Sequence, residues 1–149
     1  MNDTTQPSGG LRHPGVLAWL RLLRVFQKLD SASTRHFQSR DPKLSTAQFD
    51  VLAQIGAAEG RTQQELAESL FVTKGNISQL LDRMERQGLV RRCQEGRRNT
   101  VFLTEQGRAL CDVLVPAQEA LIAGLLAPLT HDEQSQLLHL LRKLDHGLE

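Results

Sequence analysis

The chain has 149 residues, 40% of them hydrophobic and 23% charged, with a formal net charge of +1. This length favours one domain with its own core, and the hydrophobic content excludes a chain that is disordered throughout. No apolar run approaches the ~20 residues of a membrane-spanning helix, and the polar N-terminus lacks the apolar segment of a secretory signal. Its two cysteines lie far apart, which fits a reducing compartment, so we expect a cytoplasmic protein.

The first fifteen residues are rich in Thr, Ser, Gly and Pro, and they predict a flexible arm over residues 1–15. Residues 16–149 are predicted to form a single domain. Its first helix is predicted over residues 16–37, where apolar side chains cover most of the helix circumference. Because a chain this small has little core in which to bury such a helix, we expect a second copy of the chain to cover it. The expected dimerisation residues of this helix are Leu17, Leu20 and Leu23.

A polar break at residues 39–43 precedes a short helix predicted over residues 46–55. Ser45 and Gln48 have the spacing of a capping box, in which each side chain bonds to the other residue's backbone N–H. The side chains predicted to face inward are Phe49, Leu52 and Ile55.

Two helices joined by a tight turn are predicted next. Thr62 and Glu65 form a capping box for the first, over residues 63–70, and Thr73 is the expected N-cap of the second. The apolar side chains of the second helix recur with a 3.6-residue period and predict a buried stripe of Ile77, Leu80, Leu81 and Met84.

The opposite face of the second helix carries small hydrogen-bonding groups, where a solvated helix usually carries Glu and Lys. A helix N-terminus offers free N–H groups to a phosphate, and amide side chains can pair with adenine. Gly75 would allow the backbone to come close to DNA. The residues of the two helices that we expect to bind DNA are Thr62, Gln63, Thr73, Lys74, Gly75, Asn76, Ser78, Gln79 and Arg83. The alternative for this stretch is an ordinary exposed helix face.

Two strands are predicted after the second helix. Gly88 is placed to end that helix as a C′ glycine, and residues 89–94 and 100–103 have the composition of strands. Residues 95–99 between them are predicted to form a turn.

The tip of this predicted hairpin carries two arginines, Arg97 and Arg98. Two strands with a cationic tip directly after such a helix are typical of a wing, and a narrow minor groove attracts arginine. Residues 74–98 contain seven basic and three acidic side chains, a net charge of +4, although the whole chain is near neutral. Arg97 and Arg98 are therefore predicted DNA contacts.

A long helix is predicted from residue 105 to about residue 127, with Thr104 as its N-cap. Pro116 lies inside it and should bend it, because the proline ring removes one backbone hydrogen bond. The side chains predicted to be buried are Leu110, Val113, Leu114, Ala117, Leu121, Leu125 and Leu126.

A last helix is predicted over residues 133–148, with Thr130 and Glu133 as its capping box. Its leucines form a wide stripe, so we assign residues 105–149, like residues 16–37, to dimerisation. The expected contacts of this helix are Leu137, Leu141 and Leu144.

The segment over residues 45–104 resembles the winged helix-turn-helix region of the MarR family of bacterial regulators. The residues that carry the resemblance are Gln64-Glu65-Leu66-Ala67, Val72-Thr73-Lys74-Gly75-Asn76-Ile77-Ser78, Leu81-Asp82-Arg83-Met84-Glu85-Arg86-Gln87-Gly88-Leu89-Val90, Glu95-Gly96-Arg97 and Val101-Phe102-Leu103-Thr104-Glu105-Gln106-Gly107. Two positions depart from the family. Glu95 replaces the usual Asp and could still brace Arg97, and Phe71 replaces a common turn glycine and is expected to pack beneath the turn.

The resemblance implies a mainly α fold with a small β-wing, in which N- and C-terminal dimerisation helices flank a winged helix-turn-helix domain. It also implies a homodimeric regulator of transcription, more often a repressor, on double-stranded DNA. Two recognition helices about one helical turn apart, ~34 Å, would bind a pseudo-palindromic operator.

Family members often leave DNA when they bind a phenolic or aromatic acid or when a cysteine is oxidised, so we expect such an effector here. The basic edge of the first helix, Arg21, Arg24 and Lys28, could hold a carboxylate, although a solvated helix face explains it as well. Cys111 is expected to be a buried hydrophobe, and Cys93 on the wing is a weaker redox candidate.

The sequence contains none of the common motifs of nucleophilic, phosphate-binding or metal-dependent enzymes, so we expect no enzyme activity and no cofactor. Two other functions stay open. One is a winged helix that binds proteins, and the other is an architectural DNA-binding module with little sequence preference and without effector control.

Overall fold

The computed structural model describes residues 13–149, so most of the predicted flexible arm lies outside the described residues. Within that range the chain forms six helices and one two-stranded antiparallel sheet, and the predicted class, mainly α with a small β-wing, is confirmed. In chain order the elements are α1 (Pro14–Arg40), α2 (Thr46–Ala57), α3 (Gln63–Ser69), α4 (Lys74–Arg86), β1 (Val90–Glu95), β2 (Arg98–Leu103), α5 (Glu105–Leu125) and α6 (His131–His146).

Helix α1 begins earlier and ends later than predicted. It starts at Pro14, so the predicted boundary of the arm at residue 15 is wrong. Proline suits the first turn of a helix because its φ is already helical and its missing N–H would have no partner there. The imidazole Nδ1 of His13 accepts a hydrogen bond from the Gly15 N–H at 3.1 Å. The helix ends at Arg40 because the next residue precedes Pro42, and a residue before proline avoids the helical conformation.

Much of the apolar surface of α1 and α6 is exposed in the single chain. Trp19 is 57% exposed and Phe26 is 62% exposed on α1, whereas Phe37 is buried and stacks on Phe49 with ring centroids 4.9 Å apart. The predicted dimerisation leucines are exposed as well, namely Leu17, Leu20 and Leu23 on α1 and Leu137, Leu141 and Leu144 on α6. In a single chain, the faces of α1 and α6 that we predicted to form the dimer interface are therefore exposed to solvent.

The core lies between α2, α3, α4, the sheet and the first half of α5. Ile55, Leu66, Ile77, Leu81 and Val101 are fully buried, so each element that carries the candidate site is anchored in one cluster. Burying each such side chain contributes about 1.5–3 kcal/mol of transfer free energy. The positions of α3, α4 and the wing are thereby fixed relative to one another.

Helices α2 and α5 touch at Gly56 and Cys111. A Cβ on Gly56 would lie 2.5 Å from the Cys111 sulfur, so the glycine allows the thiol to fill the space between the helices. Cys111 is buried, as expected, and it donates to the Leu52 carbonyl oxygen at 3.5 Å. Burial raises the pKa of the Cys111 thiol, and the neighbouring charge of Asp112 adds to the effect.

The buried face of α5 is rotated relative to the prediction. Gly107, Cys111, Leu114 and Gln118 are buried, whereas Val113 and Leu125, both predicted to be buried, are exposed. A Cβ on Gly107 would meet the Leu89 carbonyl oxygen at 1.9 Å, so the helix can lie against the start of the wing only through its glycine side. That contact decides which stripe of α5 faces the core.

The hairpin turn is tighter than predicted. Pairing of β1 and β2 continues to Glu95 opposite Arg98 and leaves a two-residue turn of Gly96 and Arg97. Gly96 has a φ of +63°, which a glycine adopts without steric penalty.

The other helix boundaries move by one or two residues. Within residues 13–149, no helix is both long enough and apolar enough to span a membrane.

Candidate nucleic-acid interface

The apolar stripe of helix α4 packs in the core, whereas the first turn of the helix is exposed to solvent. Ile77, Leu81 and Met84 are fully buried. Thr73 caps the helix, and its hydroxyl accepts from the Asn76 N–H at 3.1 Å. The capped end therefore presents both the helix dipole and the remaining free N–H groups to solvent.

The structure places most of the predicted DNA-binding residues of α4 on its solvent face. Ser78 is partly buried, and the exposed ones are Thr73, Lys74, Gly75, Asn76, Gln79 and Arg83. A Cβ added to Gly75 would have no heavy atom within 4 Å, so the backbone at this point is open to approach from outside. Polar side chains and accessible backbone share the face that a duplex would meet.

The N-terminus of α3 is closed by the predicted capping box. The Glu65 carboxylate accepts from the Thr62 N–H at 2.8 Å, and the Thr62 hydroxyl accepts from the Glu65 N–H at 3.1 Å. The Thr62 N–H holds the pKa of Glu65 below its usual range, with smaller contributions from the Thr62 hydroxyl, Arg98 and Arg61. These hydrogen bonds therefore fix the backbone conformation at the start of α3, beside α4.

One side-chain contact links α3 to the wing. The Gln63 side-chain oxygen accepts from the Asn99 amide at 3.2 Å, and both residues are partly buried. Behind this contact the Val101 N–H donates to the Arg61 carbonyl at 2.9 Å, and Thr62 pairs with Thr100 in an isolated bridge. The wing is therefore joined to the segment that enters α3.

A cleft of about 530 Å³ lies where α3, α4 and the wing tip meet. Five predicted DNA-binding residues line it together with four others, and the full set is Thr62, Gln63, Gln64, Glu65, Lys74, Ile77, Arg97, Arg98 and Asn99. The structure thus brings the starts of both helices and the arginine tip, which are distant in sequence, to one surface.

The two tip arginines are exposed. Within residues 13–149, neither Arg97 nor Arg98 lies within ion-pair distance of a carboxylate, so the brace predicted between Glu95 and Arg97 is not formed. Glu95 instead pairs with Arg98 in the strand register. Cations that are not neutralised by the chain itself are free to bind phosphate or to enter a minor groove.

A partly buried arginine that the sequence did not single out connects the wing to α4. The Arg92 guanidinium on β1 bonds to the Glu85 carboxylate at 3.0 Å and also pairs with Asp82, while the Arg92 N–H donates to Glu85 at 2.8 Å. The Arg92 side-chain hydrogen bond holds the pKa of Glu85 below its usual range, and the Glu85 contact raises that of Arg92. These three residues, which we call the wing brace, fix the angle between the wing and α4. A sequence signal existed, because Asp82 and Glu85 are three residues apart on one helix face.

The outer side of the wing has a separate packing contact. The Arg91 guanidinium lies 4.6 Å from the centroid of the Phe102 ring, which is a cation–π geometry. Cys93 is partly buried and pairs with Thr100 across the sheet.

Phe71 does not pack beneath the turn between α3 and α4, as we had expected from the sequence. It is 95% exposed and has a φ of +54°. The turn bonds its N–H to the Glu68 carbonyl at 3.3 Å and the Val72 N–H to the Ala67 carbonyl at 3.0 Å. This Schellman pattern fixes the backbone at Phe71 in the left-handed region, and the side chain projects into solvent.

The order of elements, the capped and polar recognition helix and the cationic wing define a winged helix-turn-helix DNA-binding protein.

Comparison with known proteins agrees with this class. The sequence model of the MarR family matches residues 43–98. An uncharacterized HTH-type transcriptional regulator of Bacillus cereus is 38% identical over 125 residues, which cover 84% of each chain. A mutant of MarR from Escherichia coli, solved in complex with operator DNA, is 31% identical with a TM-score of 0.75 over 91% of this chain and 99% of that one.

A third similar protein was solved with a small molecule. The PcaV transcriptional regulator from Streptomyces coelicolor, in complex with its natural ligand, is 26% identical with a TM-score of 0.71 over 97% of this chain and 100% of that one. The chain belongs to the MarR family and is a DNA-binding transcriptional regulator.

Proposed function

We propose that the chain acts as a homodimeric repressor that binds a pseudo-palindromic operator and releases it in response to a small aromatic acid or an oxidant. The observation that carries this proposal is the shared surface at the cleft, where the exposed first turn of α4 meets the start of α3 and the arginine tip of the wing. The three segments have the chemistry that base edges and phosphates require.

The roles of the residues follow from their positions. Asn76 and Gln79 are exposed on α4 and carry amides, so we assign base contacts in the major groove to them. Lys74 is assigned to a phosphate because its side chain is cationic and lies at the N-terminus of α4. Thr62 is assigned to a phosphate through its hydroxyl, which only accepts within the capping box and can still donate. Arg97 in the wing turn is assigned to the neighbouring minor groove.

Dimerisation is supported by the exposed apolar faces of α1 and α6. Large apolar side chains such as Leu20, Phe26 and Leu140 are 46%, 62% and 58% exposed in the single chain. Apolar surface of this extent ordinarily marks an interface. A two-fold dimer would place two copies of α4 about 34 Å apart, which is one turn of B-DNA, and the operator would then repeat with inverted symmetry.

Effector release is supported by two features of the chain and one relative. Exposed cations lie along α1 at Arg21, Arg24 and Lys28, and a carboxylate is their natural ligand. The PcaV regulator was solved with its natural ligand bound. For the oxidant we assign Cys93, because burial raises the pKa of Cys111 and keeps that thiol protonated.

The test begins with the purified protein. Sedimentation equilibrium should give about twice the 16.7 kDa of one chain. Genomic fragments that the protein retains at ~0.15 M salt should share an inverted repeat and should bind at least ~10³-fold more tightly than random DNA. Hydroxybenzoic acids or hydrogen peroxide should then lower the affinity for the selected fragment.

Each alternative predicts a different result. An architectural module would bind selected and random fragments with similar affinity, and a protein-binding winged helix would bind neither at this salt concentration. A monomer in solution that still selects an inverted repeat would refute the dimer but not DNA recognition.

A further inference from the structure

Phe71 occupies the C′ position of α3, where the chain leaves the helix. Its φ of +54° lies in the left-handed region, which is disfavoured for a residue with a Cβ. Phe71 is also 95% exposed, so the ring has almost no packing within the fold to offset this strain.

The end of α4 shows what the same turn looks like without the strain. Gly88 has a φ of +73°, its N–H donates to the Glu85 carbonyl at 2.9 Å, and the Leu89 N–H donates to Met84 at 2.9 Å. This is the hydrogen-bond pattern found at Phe71, in which glycine is the usual C′ residue. An exposed phenylalanine at the equivalent position of α3 therefore has no explanation in local backbone geometry or in the core.

The location of Phe71 relative to α4 suggests what the ring contacts. Phe71 is three residues before Lys74, so the two Cα atoms are at most ~10 Å apart. The major groove of B-DNA is ~12 Å wide, so an exposed side chain this close to a helix end that enters the groove is within reach of its edge. Val72, which is 38% exposed, extends the apolar surface from Phe71 toward the N-cap of α4.

We propose that Phe71 is a DNA-contacting residue whose ring packs on apolar groups of the duplex at the edge of the major groove. This inference rests on the proposed docking of α4 and adds a specificity contact to it. Two groups of a duplex have the required chemistry, the 5-methyl of thymine and the deoxyribose ring. Contact with the methyl group would make Phe71 a reader of sequence, whereas contact with the sugar would make it an anchor.

The deciding variant is Phe71→Gly, because it removes the ring and the strain together. We expect a Tm equal to or higher than that of the wild type, together with an affinity for the selected operator fragment about tenfold weaker. Phe71→Leu keeps an apolar side chain and should lose less affinity than Phe71→Gly. Unchanged operator affinity in Phe71→Gly would overturn the proposal, and so would a lower Tm, since it would place the ring in a contact of the folded protein.

A second arm identifies the contacted group. Operator fragments in which single thymines are replaced by uracil lack the 5-methyl but keep the sugar. If the wild type loses affinity at one such position and Phe71→Gly does not lose more, the contact is the methyl group. If no uracil position matters while Phe71→Gly still binds weakly, the contact is the deoxyribose. A wild-type protein that binds no fragment refutes the proposed function itself, whereas a binding wild type with an equally tight Phe71→Gly refutes this inference alone.

Discussion

The wing brace is predicted to stabilise the fold, and Arg92→Ala tests it. The guanidinium is 18% exposed, and its partners Glu85 and Asp82 are 34% and 50% exposed, so solvent screens both ion pairs. Screened pairs are worth about 0.2–1 kcal/mol each, and the lost packing of the arginine stem adds a similar amount. We expect Arg92→Ala to lower the free energy of unfolding by about 1–2 kcal/mol, or Tm by roughly 2–8 °C.

The same brace predicts how stability depends on pH. Arg92 lowers the pKa of Glu85 in the folded state from 4.5. A carboxyl whose pKa is lowered by folding stabilises the protein above its unfolded pKa, and the contribution is lost as pH falls through the folded pKa. The wild type should therefore lose stability below pH ~4.5 more steeply than Arg92→Ala, because the variant no longer holds the Glu85 pKa down.

Urea unfolding of the wild type, Arg92→Ala, Glu85→Gln and the double variant isolates the pair in a double-mutant cycle. We expect a coupling energy of at least ~0.5 kcal/mol at pH 7 that becomes smaller as the pH falls below ~4.5 and Glu85 is protonated. A coupling energy near zero at pH 7, or one that does not change with pH, would refute the brace as an electrostatic contact.

Three further predictions concern the interface and its support. Gly107→Ala should lower the free energy of unfolding by about 1–3 kcal/mol, since the added Cβ would lie 1.9 Å from the Leu89 carbonyl oxygen; a Tm within 1 °C of the wild type would contradict it. Gly75→Ala is the matched control for that overlap, because no heavy atom lies within 4 Å of the added Cβ. It should raise the free energy of unfolding, measured in urea, by about 0.5–1 kcal/mol and should weaken operator binding. If Gly75→Ala binds the operator as tightly as the wild type, DNA does not come close to the backbone at Gly75. Arg97→Ala should reduce the slope of log affinity against log salt by about 1 without changing Tm, because a cation bound in the minor groove releases counterions as it does at a phosphate, and Arg97→Lys should restore the slope; an unaltered slope in Arg97→Ala would argue against a minor-groove contact of the wing.

Local patterns were read correctly from the sequence. The three capping boxes, at Ser45, Thr62 and Thr130, all form, because both partners lie within one turn of a single helix. The order of the elements and the class of fold are likewise confirmed. For the candidate site, the sequence supplied the residues, and the structure brings five of them around one cleft.

Features that depend on contacts between elements could not be predicted from local sequence patterns. The Arg92 brace requires β1 to lie against α4, and nothing local to Arg92 specifies that approach. The buried face of α5 is set by Gly107 meeting Leu89, which helical periodicity alone does not reveal. Phe71 was assigned to the interior because it is apolar, whereas its place in a Schellman turn directs the side chain outward.

The central claim is that two copies of α4, each with its arginine-tipped wing, bind successive grooves on one side of a duplex. Hydroxyl-radical footprinting of the wild-type protein on its selected operator tests this most directly. We predict two protected regions whose centres are separated by ~10–10.5 base pairs, related by the inverted repeat, with flanking minor-groove protection that disappears in Arg97→Ala. A single protected region, or protection spread evenly along the fragment, would contradict it.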